Sequence, residues 1–252
     1  MIQYSVRWAV PLIFLVAATS ATFKLFPNAL SKWLMRNRRY FGLSFAIAMA
    51  WQGAFIFTMS FLHTDYYYSE IYHLRDELEG SSGYILLVAL TFTSFSFARR
   101  YFTAQQWATL HRAGIYFLWA YPFSVYWWNV YYYQTGLLLD SIFFWFGFIA
   151  FALRIAAWGK LRWKNATKDF LSFSMGLFIV MVGLLLAGTG SDWQPTVSKF
   201  LLITSWSMAL ELWLPFWPFE PFLPLFVIGL GVSIATKKQR PLFTPTSIQS
   251  MR

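Results

Sequence analysis

Three histidines, His63, His73 and His111, are the imidazoles this chain can offer to a metal or a proton, and it has no cysteine. Without thiols there are no disulfides, no thiolate metal centres, no iron–sulfur clusters and no cysteine nucleophile. Five carboxylates, Asp65, Glu70, Asp76, Glu77 and Glu79, lie in the same stretch as His63 and His73. These are ligand types for a divalent cation, but their spacing matches no metal motif. We therefore read residues 64–82 as a solvated acidic loop and expect no metal centre. A glycine-rich phosphate loop, a G-x-S-x-G elbow, an H-E-x-x-H pair and internal repeats are all missing from the sequence. Asn165-Ala166-Thr167 has the form of a glycosylation sequon, and the topology below puts it on the wrong side of a membrane.

The elements that must position these residues follow from composition. Apolar residues make up 58% of the 252, charged residues 12%, and the mean hydropathy is +0.48. A soluble domain carries about 25% charged residues, so little chain is left for a soluble core. Runs of about 18 or more residues with almost no charge predict membrane-spanning helices. We place seven, near 8–26, 41–63, 83–98, 113–133, 141–158, 169–188 and 219–236. The first reads as a retained helix rather than a cleaved signal, because it ends in Lys24 and not in a small-residue site. The expected fold is an all-α polytopic bundle.

Loop charge sets the expected orientation. Basic residues cluster in 24–40 (Lys24, Lys32, Arg36, Arg38, Arg39), in 99–112 (Arg99, Arg100, Arg112), in 154–168 (Arg154, Lys160, Arg162, Lys164, Lys168) and in the tail (Lys237, Lys238, Arg240, Arg252). The positive-inside rule puts all four in the cytoplasm, the N-terminus outside and the C-terminus inside. Segment 197–213 is apolar but short, and prolines follow it. We read it as a helix in the outer interface, anchored by Trp206, Trp213 and Trp217. Counting it as an eighth span would put the basic tail outside. The net charge of +10 is thus a topology signal, with no contiguous basic face for nucleic acid. Tyr66–Tyr68 and Trp127–Tyr133 fall at span ends and read as an interfacial aromatic belt.

Two segments carry a family resemblance. Arg38-Arg39-Tyr40-Phe41-Gly42-Leu43-Ser44-Phe45 opens the second span. Gly83-Tyr84, Leu90-Thr91 and Ser94 are followed by Arg99-Arg100, and then by Trp107-Ala108-Thr109-Leu110-His111-Arg112 with Tyr116. With Ala152-Leu153-Arg154-Ile155, they resemble the ferric reductase-like transmembrane family, whose members include ferric reductases, NADPH oxidases and the haem subunit of bacterial methionine-sulfoxide repair. The resemblance spans 38–158 and divides the chain into a first span with its basic loop (1–37), a ferric reductase-like four-helix core (38–158) and a C-terminal part (159–252). It implies transmembrane electron transfer through b-type haem. Of the matched ligand positions only His111 keeps its histidine, because Gln52 and Ser124 stand at the other two.

A bis-histidine haem needs two imidazole nitrogens about 4 Å apart across the iron, at about 2 Å per metal–nitrogen bond. His63 falls at the outer end of its span and His111 at the inner end of another, about 30 Å away. His63 lies on nearly the same helix face as Gln52, but about 16 Å further out. The expectation is therefore a family-like scaffold with no resident cofactor, in which Gln52 and Ser124 face each other as a polar cross-link. Here His111 orients Arg112 or caps its loop, Arg154 snorkels from a span end, and Pro122 kinks the fourth span. The protein is then a membrane partner or structural subunit for a separate redox or membrane protein. The alternatives are a haem b carrier with an unusual ligand set, in which His111 is the surviving ligand or His63 pairs with Tyr126 or Tyr131, and a small-molecule or ion transporter. A compact chain without targeting extensions is expected in a bacterial inner (plasma) membrane.

Overall fold

The structure is a computed structural model and describes residues 2–166, 169–202 and 205–237. The tail cations Lys238, Arg240 and Arg252, together with Lys168, lie outside the described residues, as does the Trp206 side chain. Among the described residues the chain is helical, with no strand.

The long helices are α1 (Ile2–Leu25), α2 (Ala29–Leu62), α3 (Leu74–Thr93), α4 (Ala104–Tyr131), α5 (Leu138–Trp163) and α6 (Phe170–Gly188). Shorter ones follow: α7 (Gly190–Leu202), α8 (Ser205–Trp213) and α9 (Leu223–Ala235). Among the described residues four segments are long and apolar enough to cross a membrane: Arg7–Leu25, Ala29–Leu62, Leu138–Trp163 and Phe170–Gly188. The other expected spans differ for visible reasons. Helix α3 starts with Arg75, Asp76, Glu77 and Glu79, α4 carries His111 and Arg112 with many Trp and Tyr, and α9 has only 13 residues.

Two stretches expected as loops are helical. Most of the basic segment 24–40 is the first three turns of α2. Asn28 caps that helix: its side chain accepts from Ser31 N at 2.8 Å, while its own N–H donates to Ser31 Oγ at 3.0 Å. That reciprocal pair satisfies two end donors and starts the helix before the apolar run begins. In the acidic stretch, short helical turns cover Thr64–Ile71, and α3 begins at Leu74. Asp76 and Glu77 sit in its first turn, where carboxylates complement the helix dipole. The described residues of the expected interfacial segment 197–213 fall on α7 and α8.

The exterior is apolar. Ile47, Phe57 and Phe61 on α2 are 69–74% exposed, and Leu171, Phe178 and Leu185 on α6 are 64–73% exposed. Soluble monomers do not display such continuous apolar faces, whereas hydrocarbon matches them. Helices suit that environment because each satisfies its own backbone groups. The chain is compatible with an integral membrane protein.

The core is aromatic. Trp119 stacks on Phe123 at 4.7 Å and on Phe151 at 4.4 Å, joining α4 to α5. Trp127 is fully buried and Tyr131 nearly so, while Tyr132 and Tyr133 are exposed. The run Trp127–Tyr133 is therefore only partly a belt, because helical periodicity turns two of its rings inward. Pro122 is buried within a continuous α4. Helix α1 packs on α2 and α5, and α6 pairs with α9.

The two ends of the bundle differ in charge. At one end Lys160 Nζ donates to the last carbonyls of α1, Lys24 O at 2.9 Å and Leu25 O at 3.3 Å. Arg162 donates to Thr236 just past α9. At the other end the described ion pairs gather, Arg7–Asp140, Arg75–Glu79 and Arg75–Glu211.

Candidate functional site

Four helices bring His111 and its neighbours to the basic end. Helix α4 starts at Ala104 behind a Thr103/Gln106 capping box, with Gln106 N to Thr103 Oγ1 at 3.2 Å and Thr103 N to Gln106 Oε1 at 2.9 Å. The first turns of α4 therefore lie against the last turn of α3. Trp107 Nε1 donates to Thr93 O at 3.0 Å. His111, one turn further on, places Nε2 3.0 Å from Thr93 Oγ1 and lays its ring 4.2 Å from Trp107. Arg99 covers the outer face of Trp107 at 4.5 Å. His111 is half-buried, and burial first, then Arg38 and Arg99, push its pKa down to about 4. The imidazole is neutral at pH 7, and it fastens α3 to α4 rather than orienting Arg112.

The same end holds a second constellation. Arg154, on α5, donates through Nε and Nη2 to Tyr116 Oη at 3.1 and 2.8 Å, and through Nη1 to Ala17 O at 2.7 Å. Its guanidinium lies 4.5 Å from the Tyr116 ring centre. Arg154 is thus clamped across α1, α4 and α5 instead of snorkelling from the bundle. Arg38, on α2, lies within Coulombic reach of Arg154, Tyr116 and His111. Sequence reasoning placed Arg38 in a basic loop and Arg154 at a span end.

The positions where the resemblance expects ligands do not converge. Gln52 Oε1 is 3.5 Å from Tyr84 Oη, which also donates to Met49 O at 3.1 Å. Gly53 makes room for that ring, since a Cβ there would lie 3.3 Å from Tyr84 Cε1. Ser124 is buried and donates to Tyr121 O in its own helix at 2.8 Å. No described hydrogen bond joins Gln52 to Ser124. The expected cross-link is replaced by a tyrosine from α3, because α2 packs on α1 and α3.

His111 lies at the opposite end of the bundle from the other two histidines. His63 closes α2, and His73 precedes α3 at the end opposite Thr93. His111 touches Thr93, so the 20 residues of α3, about 30 Å at 1.5 Å per residue, separate it from His73. His73 and His111 therefore cannot ligate one iron. Of the two tyrosines, Tyr131 Oη donates to Ala187 O in the core, and the Tyr126 ring packs on Phe143. Among the described residues no group of three or more His, Asp or Glu could hold a metal ion.

The acidic end holds polar groups that sequence reasoning passed over. Asp140 is fully buried. Its Oδ2 accepts from Thr135 Oγ1 at 2.9 Å and Asn129 Nδ2 at 3.2 Å, and Oδ1 faces Arg7 at 3.7 Å. Glu220 is also fully buried and accepts from Ser198 Oγ at 2.6 Å and Gln194 Nε2 at 3.2 Å. Their signal was available as isolated acids beside apolar runs, since a carboxylate there must find partners. Comparison with family models, curated proteins and solved structures found no match to this chain.

Proposed function

We propose that this chain is a haem-free membrane scaffold of the ferric reductase-like type, acting as a membrane partner or structural subunit for a separate redox or membrane protein. Its bundle crosses the bilayer seven times through α1–α6 and α9, with α7 and α8 lying in the outer interface. The N-terminus is outside and the C-terminus cytoplasmic. The charge asymmetry supports this topology, because the basic end carries Lys24, Arg38, Arg99, Arg154 and Lys160 while the described ion pairs lie at the other.

One observation carries the functional reading. The imidazole at the one retained ligand position is occupied by Thr93 and Trp107, with His73 a helix length away. A scaffold of this kind offers packing surface rather than an electron path. The test is a reduced-minus-oxidised spectrum of protein purified after haem supplementation. The expected result is no b-type band. A stoichiometric band that disappears in His111→Ala overturns the proposal. The topology has its own check in a chain without native cysteine: Ser69→Cys should label from outside and Gln105→Cys only after permeabilisation. Labelling of Gln239→Cys from outside would replace seven spans by eight.

A further inference from the structure

The turn between α1 and α2 borders a groove of about 750 Å³ at the basic end of the bundle. Small-molecule sites occupy about 300–1,000 Å³. The apolar lining comes from both helices and the turn: Phe23 from α1, Pro27 from the turn, and Ala29 and Met35 from α2. Lys32 and Arg36 add two cations one helical turn apart, and Asn28 adds an amide.

Both cations are available to a ligand. Lys32 and Arg36 are exposed, and neither side chain forms an ion pair or a hydrogen bond with a described residue. Asn28 spends its Oδ1 on Ser31 N at 2.8 Å, which leaves its Nδ2 donors unspent. No Asp or Glu lines the groove, and none precedes Asp65 in the chain. Lys160, donating to the carbonyls of Lys24 and Leu25, adds a third cation at the end of α1. The local field is therefore positive, with no carboxylate in the groove to oppose it.

Charge alone would suit any anion, and the apolar wall narrows the class. Phe23 and Met35 offer nothing to a bare phosphate, whereas they suit the glycerol and first methylenes of a lipid. Phe26, Leu30 and Trp33, next to the lining residues in the chain, are 48–65% exposed. Such a mixture of apolar, aromatic and basic residues settles at a bilayer surface. A zwitterionic headgroup would carry its own cation into the same positive field, so an anionic one is favoured. We propose that the α1–α2 groove binds the headgroup of an anionic phospholipid, with Lys32, Arg36 and Asn28 on the phosphodiester and Phe23 and Met35 against the chain. The proposal uses the membrane setting of the bundle and not the haem-free reading.

The test is thermal unfolding of the full-length protein in a neutral detergent, followed by tryptophan fluorescence. The probes are dioctanoyl phosphatidylglycerol, dioctanoyl phosphatidylcholine with the same chains, and inorganic phosphate. Phosphatidylglycerol at about 100 times its Kd should raise Tm by about 5 °C, and the other two should not. Lys32→Gln combined with Arg36→Gln should abolish that rise and leave the ligand-free Tm unchanged, since both side chains are exposed and unbonded. Arg100→Gln combined with Lys164→Gln removes the same charge from exposed residues outside the groove and should keep the full response. The proposal fails if phosphatidylglycerol does not shift the native protein, or if phosphatidylcholine or inorganic phosphate acts as well. It fails equally if the Lys32/Arg36 variant responds like the native chain, or if the Arg100/Lys164 variant loses the response to the same extent.

Discussion

Alanine at Gly231 should destabilise this protein, and alanine two residues earlier at Gly229 should not. Both glycines lie in α9, so each substitution brings the same helix-propensity gain, up to about 1 kcal/mol. Their surroundings differ. A Cβ on Gly231 would stand 2.6 Å from Gly176 O and 2.8 Å from Val180 N, both backbone atoms of α6. Ordinary contact begins near 3.4 Å, so the helices must separate by roughly 0.8 Å. The contact is reciprocal, for a Cβ on Gly176 would lie 2.5 Å from Ala235 N and Gly231 O. Gly183, two turns along α6, meets Ile228 in the same way. This is the small-residue seam by which membrane helices approach closely. Backbone atoms cannot rotate aside, so the crossing opens along its length. Overpacking of this kind costs about 1–3 kcal/mol. A Cβ on Gly229 meets nothing within 4 Å. Melting in detergent should therefore put Gly231→Ala about 3–10 °C below Gly229→Ala, at about 2–4 °C per kcal/mol for a chain of this size. If the two variants melt within a degree of each other, the α6–α9 seam is not as described.

Further predictions concern the polar groups. The folded pKa of His111 is near 4 and the unfolded value about 6.5, so the unfolded chain binds more protons between those limits. Stability should then be flat above pH 7 and fall as pH drops from 6.5 toward 4; comparing melts of native protein and His111→Gln at pH 7 and 4.5 should show a smaller fall in the variant, and parallel curves would refute it. Asp140→Ala strands Asn129 and Thr135, removes the ion pair with Arg7 and should cost about 3 kcal/mol, read as a lowered Tm, while an unchanged melt would contradict the burial. Glu220→Gln keeps polar partners for Ser198 and Gln194 and should stay within about 1 kcal/mol of native, whereas Glu220→Ala should lose about 2 kcal/mol or more; equal effects would remove the network.

Much of the helical layout was legible in the one-dimensional pattern. Each expected span falls largely on a helix, since uncharged runs and basic flanks report directly what lipid and water accept. The ends were read less well. Residues 29–40 look like a loop to a hydropathy count, yet the Asn28/Ser31 capping box carries the helix through them. At the candidate site, His111 and Arg154 were visible as residue types but their partners were not. Thr93, Tyr116 and Ala17 are ordinary in sequence and matter only through proximity. Tyr84 takes the place that pattern reasoning gave to Ser124, because which helix neighbours α2 is not written in local periodicity.

The sequence by itself determined the solvent: with few charges and apolar residues on all sides, its helices must satisfy their own hydrogen bonds and leave cations at their ends. Tertiary structure alone decided what those cations meet. Arg154 reaches Tyr116 and Ala17, both far away along the chain, because α5 packs against both α4 and α1. Likewise, α6 and α9 pair where glycines allow backbones to touch. Composition acts residue by residue, whereas a site or a seam depends on distances between helices, which only packing fixes.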